Sequence, residues 1–493
     1  MRDIVNVKHF GAHSDGSAPC TGPLQRAIDA CAGAGGGTVH FPAGTFITGA
    51  LLMRSNVTLD LAAGAVIAAH TDVNAFPVSH SLWEGSASPI HSPLIGGEGL
   101  KNVTLKGDGT IDGRGAFWWD LFSGGKLAYT RPNLLRLVNC RDVLIDGLTF
   151  ANSPRWTINP VACENVIISS IVIRNPYDSP NTDGINPDSC TNVRICGCQI
   201  DVGDDCIAIK SGSIEDRRPD PRPCQNITVT NCMMLHGHGG VVIGSETSGG
   251  VRNVTVSNCI FRGTERGVRV KSRRGRGGSV EDLWADNIIM NDVLCPIVVN
   301  LFYVCGASED DPMFDPHPAP VTDLTPRVRG LRFRNIAVYG AKYAAAYIRG
   351  LPELFAEDIS LDDVSVYMDA NNKLAGAPAM AVGCREMCRA GFVLESVKNV
   401  RLRRVDLYHH LGRAVIANGA QDLEINGLLA SGNNAESPVA IDDILAATDK
   451  PAGESLDVTI SPDAKNVPAR HAPRVARHRQ TGSLVERSDG HPL

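Results

Sequence analysis

Several features are scarce in this 493-residue chain, and each scarcity excludes something. No run of 18 apolar residues occurs, so nothing reads as a membrane-spanning helix. The first eight residues, Met1 to Lys8 (MRDIVNVK), lack the 7–15-residue apolar core of a secretory signal. As written, the sequence predicts a cytoplasmic protein, or a secreted or periplasmic one where a signal has been removed. Lysine and arginine (47) do not exceed aspartate and glutamate (53), and aromatics make up 5%. A net charge of −6 with so few rings gives neither the basic footprint nor the stacking platform of a nucleic-acid binder. The 15 cysteines are odd in number and show no disulfide framework. Cys163, Cys190, Cys196, Cys198, Cys206, Cys232 and Cys259 lie in apolar, strand-like runs and read as small buried hydrophobes. Cys196-Gly-Cys198 lacks the second pair that a zinc site needs. Long helical patterns are also rare. One good candidate spans Gly22 to Gly33 (GPLQRAIDACAG), ending in a glycine-rich run to Gly37.

What the chain has in abundance is a short phrase: Asn or Asp, a β-branched residue, then alternating polar and apolar residues. It begins at Asn56, Asn102, Asp142, Asn165, Asn192, Asn226 and Asn253, and returns at Asn399 and Asp422. The better-spaced copies lie about 23 to 34 residues apart, a solenoid period. Each phrase reads as a short strand with a turn residue before it. One coil cannot bury its apolar face alone, whereas stacked coils can. The expected fold is therefore all-β, a right-handed parallel β-helix, with the 22–33 helix capping its N-terminal edge against aggregation. Residues 1–460 read as one such catalytic domain, and the Arg/His/Pro/Ser-rich residues 461–493 as a loosely ordered tail. Asn56, Asn102, Asn226 and Asn253 also match the N-glycosylation pattern, but they coincide with the repeat, and the turn reading is preferred.

Three acids stand out against this regular background. Asp183 lies in the stretch Asn181–Gly184 (NTDG), and Asp204 and Asp205 lie 21 and 22 residues later in Gly203–Cys206 (GDDC). Equivalent positions of neighbouring coils are about 4.8 Å apart, so this offset allows all three to face one groove. Like charges so close raise one another's pKa, and at least one proton is shared or retained. Acid/base cleavage of a glycosidic bond needs one carboxyl that donates and one that activates water. The next coils bring His238 in Gly237–Gly239 and then Arg269 and Lys271. Taken singly, these are an ordinary turn, a surface histidine and a solvated strand; their coincidence at matching coil offsets makes a site.

Together with Asn6–Ala12 (NVKHFGA), Gly35–Gly44 and Gly109–Gly115, these four motifs resemble the signatures of polygalacturonases, glycoside hydrolase family 28, over roughly residues 1 to 430. The resemblance implies a parallel β-helix and inverting hydrolysis of α-1,4 bonds between galacturonate units, with no metal or other cofactor. It implies that Asp204 is the general acid, that Asp183 and Asp205 activate water, and that His238 tunes the acid's protonation. Arg269 and Lys271 would bind the substrate carboxylate, for which an arginine fork is suited; Asn181 is placed with them. Tyr303 and Trp156 are candidates for stacking on sugar rings. The basic run Arg262–Arg276 reads as an anion-binding rim. The partner expected is an anionic pectic saccharide, not nucleic acid or membrane. Asn186 and Asn159 stand where relatives often carry Asp and His, which bears on subsite preference. Gly239–Glu246 (GGVVIGSE) resembles exo-acting bacterial members, so exo-action is expected. Open alternatives are hydrolysis of rhamnogalacturonan or xylogalacturonan, a Ca²⁺-dependent β-helical lyase, and a non-catalytic polysaccharide-binding β-helix.

Overall fold

The computed structural model describes residues 4–83, 86–213, 222–304, 307–433 and 439–442. The expected tail at 461–493 lies outside these residues. The chain winds into a right-handed parallel β-helix, as the repeat predicts. Its first sheet runs from Ile4–Asn6 through Gly37–Phe41, Val57–Leu61, Lys101–Gly107, Arg141–Asp146, Glu164–Ser169, Thr191–Cys196 and Cys224–Thr230, every neighbour parallel. It continues into the long C-terminal strands. A second sheet turns off it, and a third runs from Leu51–Leu52 through Ile95–Glu98, Leu135–Val138 and Ile158–Val161 towards the acidic motifs.

Alternation along each strand puts one face inside the coil and one outside. The inward residues stack by register: Leu59, Leu105, Ile145, Ile168, Ile195 and Val229 form one ladder that continues to Leu402. All are buried, and burying such a side chain contributes about 1.5–3 kcal/mol. The repeat's asparagines explain the corners. Asn56, Asn102, Asn165, Asn192, Asn226 and Asn253 all hold φ between 54° and 62°, the left-handed region that Asn tolerates best after Gly. Their amides also join successive coils: Asn226 Nδ2 donates to Asn192 Oδ1 at 3.0 Å and Asn253 Nδ2 to Asn226 Oδ1 at 3.0 Å. The turn reading of the glycosylation-like motifs thus has a structural cause.

The predicted cap forms helix α1, Thr21–Gly33, which buries Leu24, Ala27, Ile28 and Cys31 against the first coils. Of the cysteines named above, all are buried except the half-buried Cys196, and the described cysteines are all unpaired.

Candidate active site

The site is built on the outward face of the third sheet, where strands are short and turns lift side chains off the barrel. Ile185, Ile207, Val241 and Val268 are in register. Stepping back two residues stacks Asp183, Asp205 and Gly239, and one residue further stacks Asp204 and His238. The backbone fixes both columns: Gly184 N donates to Asp205 O at 3.0 Å, Cys206 N to Gly239 O at 2.8 Å, and His238 N to Asp204 O at 3.1 Å. Glycine is needed at 239, because a Cβ there would stand 2.4 Å from Val242 Cγ2 and 3.2 Å from the Asp205 carboxylate.

One oxygen from each of Asp183, Asp204 and Asp205 lies within 4.8 Å of the others. The three are not equivalent. Asp205 is buried, and its Oδ2 accepts from Lys271 Nζ at 2.7 Å while Arg269 Nη1 stands 3.8 Å from Oδ1. Asp204 Oδ1 faces His238 Nδ1 at 3.3 Å. Burial alone would raise the Asp204 carboxyl, but His238 and Lys271 outweigh it and hold the group below the usual range. His238 responds in kind: burial opposes its charge, yet the Asp204 carboxylate pushes it up to about 9. Asp183 moves the other way. Burial, then the Asp204 charge, raises it well above the ordinary value, against Lys210 and a bond from Asn186 Nδ2 at 2.7 Å. Of the trio, Asp183 is therefore the carboxyl pushed towards its protonated form, because among the described residues it has no cation in direct contact. A divalent cation at the trio would have to displace Lys271 from Asp205, and it would meet Lys210 and His238 as like charges.

Arg269 and Lys271 lie on Arg266–Lys271 beside the acids. Arg269 Nε and Nη2 are buried without a hydrogen-bond partner among the described residues. Tyr303 is 5% exposed and packs against both cations, 5.4 Å from Arg269 and 5.1 Å from Lys271. Trp156 is equally enclosed, with Arg155 at 4.3 Å and Lys210 at 4.9 Å from its ring. Both rings serve cations in this state, not open solvent. Asn181 is half-buried and its Oδ1 accepts from Arg131. The basic run is used differently from the expected rim. Arg266, Arg273, Arg274 and Arg276 are buried. Arg274 forks onto Glu353 at 2.7 Å and also donates to the carbonyls of Met313, Asp315 and His317. Arg266 and Arg274 are thus spent on loop carbonyls rather than turned to solvent.

Two contributors, Lys210 and Arg131, were missed in the sequence, and a third, Asn186, was tied there only to subsite preference. Lys210 is buried against Glu246 at 2.9 Å, and its charge reaches Asp183. Asn186 bonds Asp183, and its carbonyl is held by Asn159 Nδ2 at 2.8 Å, which joins both departures from the family pattern in one amide chain. Arg131 comes from a loop about 50 residues upstream of the first acid, and nothing local marks it. Lys210 at least stands in the same motif as Asp204 and could have been found by its coil offset.

The family description Glycosyl hydrolases family 28 matches residues 38–378. A probable polygalacturonase of Vitis vinifera is 35% identical over 381 residues, 75% of each chain. An exo-poly-alpha-D-galacturonosidase of Dickeya chrysanthemi is 26% identical, covering 61% of this chain and 57% of that one. Among solved structures, the exopolygalacturonase of Thermotoga maritima superposes with a TM-score of 0.66 at 31% identity, covering 74% of this chain and 87% of that one.

Proposed function

The chain belongs to glycosyl hydrolases family 28, and from that premise we propose that it is a polygalacturonase-type glycosidase that hydrolyses α-1,4-galacturonosidic bonds from a chain end. The observation that carries the substrate reading is the neighbourhood of the trio: Arg269 stands against Asp205, one of three clustered carboxyls, and its Nε and Nη2, without a partner among the described residues, suit a uronate carboxylate. Asp204 delivers a proton to the departing glycosidic oxygen as the C1–O bond breaks. Water adds at C1 and yields its proton to the Asp183/Asp205 side. His238, charged at neutral pH, returns a proton to Asp204.

End-wise action is supported by a strap over the coils that follow the acids. Arg266 donates to Pro378 O at 3.1 Å and Ala377 O at 3.0 Å, Asn300 to Met380 O at 3.0 Å, and Arg349 to Val382 O at 2.6 Å. On this reading the segment, pinned at three successive coils beyond the acids, closes one end of the groove to a polymer.

Two features favour a second assignment of roles. Asp183 is raised and Asp204 lowered, the reverse of what an Asp204 acid calls for, and the trio, with oxygens within 4.8 Å of one another, is tighter than the roughly 6.5–9.5 Å usual between inverting carboxyls. One set of measurements separates the readings. Trigalacturonate and polygalacturonate are digested with EDTA present, products are resolved by chromatography, and the new anomer is identified by NMR. Monomer or dimer released as the β-anomer supports inverting exo-hydrolysis; an α-anomer supports double displacement, and random oligomers oppose the strap reading. Asp204→Asn and Asp183→Asn are then compared on an aryl galacturonide with a good leaving group, since only the variant lacking the acid recovers there. Inactivity on all galacturonides would overturn the substrate reading.

A further inference from the structure

Arg131 lies in the segment between helix α2, Ala116–Ser123, and the strand Leu135–Val138. It is 2% exposed, and its guanidinium stacks 4.0 Å from the Phe122 ring centroid. Nη1 donates to Pro154 O at 3.0 Å and to Pro180 O at 2.8 Å, and Nη2 donates to Asn181 Oδ1 at 2.6 Å. One side chain thus ties its own coil to the two coils that follow and ends on the residue that opens the first acidic motif. Its charge also interacts with Asp204.

We propose that Arg131 is a positioning residue that fixes the orientation of the Asn181 amide for substrate, a reading that rests on the galacturonide function above. A guanidinium has donors only, so the amide atom facing it must be the oxygen. The flip of Asn181 is then decided, and its two N–H donors are turned away from Arg131. They make no hydrogen bond among the described residues. Asn181 is half-buried, two residues before Asp183, with its backbone held at φ 54°. It presents donors to an oxygen of the sugar, a hydroxyl or a carboxylate, at the edge of the acid trio. Without Arg131 the amide is free to flip and offer its oxygen instead, which meets an acceptor on the substrate as a repulsion. Lysine cannot replace the fork, because a single ammonium cannot hold two carbonyls and an amide oxygen in one plane.

The test is a double-mutant cycle on kcat/KM for trigalacturonate with Arg131→Lys, Arg131→Gln, Asn181→Ala and the two double variants, alongside melting temperatures. Loss of a charge-assisted bond predicts a fall of about 10- to 100-fold in kcat/KM for Arg131→Lys, carried mainly by KM. In the Asn181→Ala background the same change alters kcat/KM by less than about twofold. Arg131→Gln follows the same pattern, or gives way to the lysine variant if it does not fold. Additive losses, or wild-type kcat/KM in Arg131→Lys with only a lowered melting temperature, overturn the positioning role while leaving the galacturonide reading intact. A wild-type enzyme inactive on galacturonides overturns both.

Discussion

The coils that carry the acids and the coils that follow residue 327 share one core and differ in their outward faces. In the acid-bearing part the strands are short, three residues in Ile207–Ile209, and turns break them at each corner. In the C-terminal part they are long: Arg327–Ala341, Ala356–Met368, Ala390–Leu411 and Val415–Asn433 bend through corners without ending. The long coils place their charges outside, as cross-coil pairs such as Arg404–Asp363 and Arg334–Asp286, and stack Tyr339, Tyr367 and Tyr408 at 5.3 and 4.4 Å. The short coils enclose theirs on the face that carries the acids: Lys271–Asp205 and Lys210–Glu246 have side chains at most 8% exposed. Regular outward ladders serve stacking, whereas interrupted strands leave room for loops that cover charged groups and remove them from water.

The sharpest way to break this contrast is Lys271→Met. It leaves Asp205 buried without its ammonium, a change that costs about 3–5 kcal/mol, visible as a lower urea midpoint together with loss of activity. The core comparison comes next. Leu283→Ala in one half and Leu402→Ala in the other should each cost about 2–5 kcal/mol, measured in the same way. Equal losses are expected because both side chains are buried in the same continuous core, on neighbouring ladders, and a much smaller loss at Leu402 would mean the C-terminal coils unfold separately.

A third test uses pH. His238 is raised to about 9 in the folded chain, against about 6.5 unfolded. Its contribution to stability is complete below about 6.5 and disappears as pH rises towards 9. Melting temperature should therefore decline across that window and decline less in His238→Gln. A residual slope is expected from His236, which Asp201 also raises, at 2.9 Å. An unchanged slope in the variant would remove the His238–Asp204 pair from the account. The smallest effect is expected from Arg404→Ala. Its pair with Asp363 is solvated, with side chains 64% and 46% exposed, and such pairs contribute little. The melting temperature should not move measurably.

Much of the fold was legible because its cause is local and repeated. Asn226 and Asn253 announce their coils because a left-handed corner needs a residue that tolerates positive φ, and the strand after it needs alternation. The cap was legible in the spacing of Leu24, Ile28 and Cys31. The acids were legible because Asp183, Asp204 and Asp205 differ by one coil, so sequence distance converts directly into space. Arg131 and the strap at 376–382 were not, since loops packed on the outside of a solenoid follow no period. The arginines at 266 and 274 misled for the same reason: composition records their charge, not the carbonyls that lie across from them.

The sequence by itself determined the coil, its core and the column in which the three acids stack, because each depends on contacts one period away. Only the tertiary structure decided which acid is raised and which is lowered. That choice depends on Lys271 and His238 arriving against Asp205 and Asp204 while Asp183 is left in a buried place with an amide for a partner. Electrostatics in a dry site is set by distances of a few ångströms between groups from different coils, and no spacing along the chain encodes them.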